Sequence, residues 1–252
     1  MSRLGSRLVE CSALGAAERR AMAALLDAHF LGVTPALFEQ DLADKDYALL
    51  IEDLDHLVDH PTDSLRGFTT FALRSAEVRG ERLWVLYSGD TIVEGSARGS
   101  FALAQGWIGA VRRLRQGLEP TARLVWLLIC SGPRTYRFLP VFFRHFHPRI
   151  DHPTPAATGA LMAALATRRY GDRYDARTGV VRLPHPQPLR PALREPPGEG
   201  RDPHVAFFLH RNPGHAEGDE LVCLTELDDD NLTAAGRRMV WGAGRGARGE
   251  GS

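Results

Sequence analysis

A chain of 252 residues with 44% hydrophobic and 25% charged side chains has the size and balance of one large globular unit or two small ones. Its 31 basic and 31 acidic residues cancel, so no global field draws it to nucleic acid or to an anionic membrane. Cys11, Cys130 and Cys223 are too few and too scattered for a disulfide framework or a zinc knuckle, and no run approaches the roughly 18 apolar residues of a membrane span.

Taken in order, residues 16–30 read as an amphipathic helix of strong helix formers. A second helix starts with Thr34 as its N-cap and Pro35 at its first position, and ends near Leu42. Residues 47–51 (YALLI) are a buried strand, and the acidic, histidine-bearing stretch 52–64 is a loop. Residues 67–78 and 82–93 read as antiparallel strands joined by a turn at Arg79-Gly80-Glu81. After a helix from Phe101 to Leu114, the apolar run 124–130 (LVWLLIC) suits a strand buried on both faces. A short helix over 135–143 must kink or restart at Pro140, residues 145–155 are a loop, and 156–169 form an alanine-rich helix. The proline-rich stretch 184–203 reads as an exposed linker, 205–210 and 220–224 as a final hairpin, and 231–241 as a last helix. The expected organisation is therefore a core over 1–183, a Pro-rich loop or linker over 184–203, a segment 204–241 completing the same sheet, and a disordered tail 242–252.

The stretch 83–114 organises the rest. A strand rich in β-branched and aromatic residues enters the small-residue loop Gly95-Ser-Ala-Arg98-Gly99-Ser100, and a helix leaves it with apolar positions spaced by three and four. Such a unit aims backbone N–H groups and a helix N-terminus at one spot, which favours an anion, and Arg98 adds a fork of donors suited to phosphate. The plainer reading is a tight strand-to-helix connection in an α/β protein.

The order of elements, carried by residues 67–78 (GFTTFALRSAEV), 81–107, 122–130 (ARLVWLLIC) and 135–139 (TYRFL), resembles the GNAT (GCN5-related N-acetyltransferase) superfamily over about residues 16–145. The resemblance implies an α/β (α+β) fold: a mixed, mostly antiparallel central sheet with helices on both faces and a splayed strand pair. It implies an acyltransferase moving an acyl group directly from an acyl-CoA, acetyl-CoA or longer, or from a carrier-protein thioester, to a small-molecule or peptide amine. On the matching positions, Ile92, Val93, Arg98, Gly99, Ser100, Phe101, Ala102 and Ser131 would line the donor. Tyr136 would be the acid that protonates the leaving thiolate, and Glu94 or Asp90, on the fourth family strand, the base. The family loop carries small residues where this chain has Phe101 and Leu103. That departure supports an alternative: a non-catalytic GNAT-like ligand-binding or regulatory protein that has lost donor binding.

Other candidates are weaker. His145, His147 and His152 match no common metal site, and no metal is expected; His147 or His152 could orient a substrate. His210 and His215 flank a turn. Asp53, Asp55, Asp59 and Asp63 read as a solvated surface, or else as a rim that accepts an amine. No signal-like apolar run accompanies Arg3 and Arg7, so the expected location is the cytoplasm, and a homodimer by strand exchange stays open.

Overall fold

The computed structural model describes residues 3–56, 63–97, 100–193 and 202–246. Its first element is missing from the sequence reading: Leu4–Glu10 (β1) is an edge strand whose Leu4 and Leu8 only partly reach the core. Arg, Ser and Gly dilute its alternation, and pairing with a neighbour defines it. The helices α1 (Ala16–His29) and α2 (Pro35–Leu42) fall where the periodicity puts them. The Glu18 carboxylate accepts the Gly15 N–H at 2.7 Å, and the Thr34 hydroxyl accepts the Leu37 N–H at 3.2 Å. Each satisfies a donor the helix itself cannot.

The strands β2 (Tyr47–Asp53), β3 (Leu65–Val78) and β4 (Glu81–Val93) continue an antiparallel meander from β1. The β3–β4 hairpin closes through Arg79 and Gly80, both at positive φ (56° and 80°), a turn whose twist matches that of the strands. Next come α3 (Ala102–Gln116) and β5 (Leu124–Cys130), which runs parallel to β4. The helix α4 (Pro133–Phe142) runs through Pro140 instead of restarting there. The remaining elements are β6 (Phe146–His147), α5 (Ala156–Tyr170), β7 (Tyr174–Asp175), β8 (Val180–Val181), α6 (Pro203–Arg211), β9 (Glu220–Glu226) and α7 (Ala234–Gly246).

One expectation fails in this half. Residues 205–210 are not a strand: they belong to α6, so β9 has no hairpin partner there. The reason is local, because the Asp202 carboxylate accepts the N–H groups of His204 (2.9 Å) and Val205 (3.4 Å), with Pro203 at the first helical position. Part of the Pro-rich stretch 184–203 is bonded to the rest of the fold. The Leu31 N–H bonds the Pro188 carbonyl, the Arg190 N–H bonds that of His29 (both 2.9 Å), and the Arg190 guanidinium reaches Asp27 at 2.9 Å. These contacts strap it to the end of α1; residues 194–201 lie outside the described residues. Of the expected tail, 242–246 continue α7 and the rest lies outside the described residues.

Among the described residues the strands form one sheet in the order β1-β2-β3-β4-β5-β9-β8-β7, with β6 also on β9; only β4 and β5 pair in parallel. The fold is therefore mixed α/β with a mostly antiparallel sheet and helices on both faces, as expected. On one face α3, α4, α6 and α7 bury a core that includes Trp107, Trp126, Tyr136, Phe143 and Phe208. The other face carries α1 and α2 over Leu50 and Phe68, and α5 over Val85, Leu127 and Val222. Where α2 hands over to β2, Asp44 pairs with Arg169 of α5. Beside that junction the sheet stops being apolar.

Candidate active site

The parallel pair does not run its full length. Strands β4 and β5 are in register from Trp84 opposite Leu124 to Ser88 opposite Leu128, and there they part. The cause lies in β4. Phe68 faces Ile92 while Thr70 faces Gly89, so Asp90 and Thr91 together oppose the single residue Thr69. This β-bulge bends the strand away from its neighbour. Asp90 sits in it at φ +40°, a conformation that Asp tolerates better than most side chains. The expected splayed pair is present, and Gly89-Asp90 produce it.

A polar cluster gathers at the parting. Lys45, the only lysine in the chain, has a side chain just 7% exposed and lies across Gly89. A Cβ at Gly89 would stand 3.2 Å from Lys45 Cε and 3.4 Å from Thr70 Oγ1, so the missing side chain gives the lysine its path. Lys45 Nζ binds Asp41 Oδ2 at 2.5 Å and the Asp41 carbonyl at 3.3 Å. Asp41 in turn shares a hydrogen bond with Asp90. Burial, then the Asp41 charge and that hydrogen bond, push Asp90 up to about 8, against the pull of Lys45. Burial raises Asp41 as well, but the hydrogen bond from Asp90 and the Lys45 ammonium outweigh it and hold Asp41 below the usual carboxylate range. The two carboxyls titrate as a pair, Asp90 held above and Asp41 below the usual carboxylate range. On β9, burial and the charges of Asp90 and Asp41 push Glu220 up to about 8 also. The Thr70 hydroxyl, fully buried and facing the same spot, has no hydrogen-bond partner among the described residues.

The other residues singled out in the sequence are spread along the rim. Ile92 is buried beneath α1 and α2, and Val93 pairs with Gly67 at the end of the strand. Glu94 is half-buried, its N–H on the Arg66 carbonyl at 2.8 Å and its carboxylate 3.9 Å from Arg66 Nε. Ser100 Oγ accepts the Ala102 N–H at 3.4 Å, where buried Ala102 opens α3. Phe101 is 62% exposed and Leu103 packs against the core, so neither is wedged between the parted strands. Ser131 begins the turn from β5 into α4. Arg98 and Gly99 lie outside the described residues.

Tyr136 stands apart from the cluster. It is fully buried among Phe146, Phe207 and Phe208, and its hydroxyl donates to the Pro148 carbonyl at 2.9 Å. Burial raises it above the ordinary tyrosine range. On the opposite face of the sheet from Asp90, and with its one proton engaged, it is a core tyrosine. Asp53 is likewise buried, accepting the Asp55 N–H at 3.2 Å beside Arg66 and His56, and so forms no open rim; Asp59 lies outside the described residues. His152 pairs with Asp151, and His210 is on α6. Among the described residues, no three of His, Cys, Asp and Glu gather to hold a metal, and no helix is long and apolar enough to cross a membrane.

Sequence reasoning found Asp90 but missed Asp41, Lys45, Thr70 and Glu220. A solitary lysine among 31 basic residues was the one available signal.

No protein-family model and no curated protein matches the chain. Solved structures to which it is similar include N-acetyltransferases. One is the GNAT family N-acetyltransferase YhbS of Escherichia coli in complex with CoA, at 15% identity over 55% of this chain and 68% of that one, with a TM-score of 0.38. Others are glucosamine-6-phosphate N-acetyltransferase of Arabidopsis thaliana (12%, 61% and 99%, TM-score 0.38) and an acetyltransferase of Trypanosoma brucei (18%, 61% and 100%, TM-score 0.38).

Proposed function

We propose that the chain is an N-acyltransferase that moves an acyl group from an acyl-CoA, or from a carrier-protein thioester, to a small-molecule or peptide amine. The observation that carries this reading is the parting of β4 and β5 at Gly89-Asp90, with a carboxyl raised to about 8 beside the gap. Strands that separate while still in the sheet free backbone groups for an extended thioester arm to pair with. In the proposed pose the arm runs along Ile92 and Val93 towards Ser131. The phosphates lie at the N-terminus of α3, near Ser100, Phe101 and Ala102.

Asp90, once ionised, takes the proton from the attacking amine. The nitrogen attacks the thioester carbonyl, and a backbone N–H of the parted strand steadies the oxyanion of the tetrahedral intermediate. Glu94, at the end of the same strand, guides the amine inward. The reading places residues 204–241 in the same working unit as the core, and its setting in the cytoplasm. The non-catalytic alternative rested on bulk at Phe101 and Leu103, and their outward and core-packed positions favour the enzyme.

Thermal unfolding with CoA, acetyl-CoA and longer acyl-CoA species tests the reading. A ligand at 100 times its Kd that binds only the folded chain adds about 2.7 kcal/mol. Stabilisation lost in Arg98→Ala is the expected result, and the best chain length names the donor. No shift with any species, together with no transfer from an acyl carrier protein, would return the chain to the binding-protein alternative.

A further inference from the structure

We infer that Glu220 is the acid of the acyl transfer, facing Asp90 as its base across the end of β5; the inference rests on the acyltransferase reading above. The topology brings the two together. On β9, Leu221 and Cys223 face the α3 side of the sheet, while Val222 and Leu224 face α5. Strand alternation therefore turns Glu220 towards α5. Asp90 reaches Asp41 of α2, on that same face. Between them runs β5, paired with β4 on one side and β9 on the other, and its Ile129 faces α5 as well. Two carboxyls thus stand on either side of one strand, at the end where β4 has left it.

The charged and titratable groups facing the pair come from every neighbouring element. Asp41 comes from the end of α2, Lys45 from the turn that follows it and Tyr170 from α5, while Cys130 of β5 points to the opposite face. The fully buried, unpartnered Thr70 hydroxyl faces the same spot from β3 and offers a bound molecule a polar contact. Two like groups that feel each other in a partly dry site do not both ionise readily, so over a range of pH one holds a proton while the other has lost it. An acid and a base beside one gap in the sheet is what acyl transfer needs. Tyr136 cannot be that acid, since it is sealed on the opposite face.

The step balances. The amine nitrogen forms the new C–N bond and gives its proton to ionised Asp90. As the tetrahedral intermediate collapses, the C–S bond breaks, its electron pair stays on sulfur, and the Glu220 proton passes to the thiolate. The cycle ends with Asp90 protonated and Glu220 ionised. Passage of the proton from Asp90 to Glu220 through water restores the start.

The test compares two donors with hydroxylamine as acceptor, reading hydroxamate above the uncatalysed background. In acetyl-CoA the leaving group is an alkyl thiolate, which needs a proton; in an acetyl aryl thioester it is a thiolate stable without one. With acetyl-CoA, Glu220→Gln is expected to lose about 10²–10⁴-fold in kcat. With the aryl thioester it should keep nearly the wild-type rate, while Asp90→Asn is slow with both donors. Glu220→Asp, which retains the acid, should recover part of the loss. Equal impairment of Glu220→Gln with both donors, or none with acetyl-CoA, overturns the inference and leaves the acyltransferase reading standing. A wild-type protein inert with both donors, with longer acyl-CoA species and with an acyl carrier protein overturns the two together.

Discussion

The two faces of the sheet at the β4–β5 parting are built from the same few residues of strand and could hardly differ more. On the α3 side, Ser88 accepts the indole N–H of Trp126 at 2.8 Å, and Trp126 packs on Trp107 with ring centroids 4.2 Å apart. Phe138 and Phe143 close over both rings. On the α2/α5 side, one or two residues further along, stand Asp90, Lys45, Asp41 and Glu220, with the Thr70 hydroxyl unpartnered. The apolar face lies where the strands stay together; the polar face lies where they separate. Tyr136 and Asp90 illustrate the difference. Both are titratable side chains near the gap in sequence order, yet one is satisfied and buried in aromatics, and the other is raised to about 8 by burial and by Asp41.

The sharpest way to break this contrast is Asp90→Asn. The amide can still donate to Asp41 as the protonated carboxyl does, so the bulge should survive while the base is gone. A loss of about 10²–10⁴-fold in kcat with acetyl-CoA is expected, measured beside an unchanged far-UV spectrum. An Asn variant that retains full rate removes Asp90 from the chemistry. On the dry face, Trp126→Ala should instead cost stability, by about 3–5 kcal/mol in urea unfolding, because it opens a cavity and strands the buried Ser88 hydroxyl. A cost near 1 kcal/mol would mean that the aromatic cluster does not hold the strands in register.

Much of this arrangement was legible in the sequence. Periodicity located α1, α2, α3 and α5, and the continuous apolar run located β5, because each buries a face wide enough to leave a pattern. Thr34-Pro35 and Arg79-Gly80 marked their cap and turn by local chemistry alone. Edge strand β1 was lost because half-exposed residues need not be apolar. The helix α6 was mistaken for a strand because VAFFLH is apolar on consecutive positions; the deciding signal, Asp202-Pro203, lies just before it. The cluster was half found for a similar reason. Asp90 is adjacent to a glycine in a strand, a visible anomaly, whereas Asp41, Lys45 and Glu220 reach it from distant parts of the chain.

A smaller effect separates the faces by pH. Asp90 and Glu220 titrate near 8 in the folded protein and near 4 when unfolded. Between those values the folded chain binds more protons than the unfolded one, so stability falls as pH rises from about 4 to about 8. Asp41 and Asp44, held low, act in the opposite sense and only below that window. The midpoint of thermal unfolding should therefore decline across it. In Asp90→Asn the decline should be shallower, with the variant more stable than wild type at the alkaline end. Parallel profiles would mean that the two carboxyls are solvated and ordinary.

The smallest effect expected is also the one that speaks most directly to the contrast. Tyr136→Phe removes a hydroxyl that donates to the Pro148 carbonyl at 2.9 Å and changes no packing around the ring. The lost hydrogen bond should cost about 1 kcal/mol in urea unfolding, with kcat unaltered at every pH. If Tyr136 were the acid that the sequence resemblance implies, the same change would slow acetyl-CoA turnover by orders of magnitude and spare an aryl thioester. Such a result would require the 148–154 segment to move and α6 to swing away from Phe146, opening a path from the dry face into the gap. Retained activity fixes the division of labour instead: tyrosine, tryptophan and phenylalanine hold the strands together as far as Ser88, and the carboxyls beyond it act on what enters.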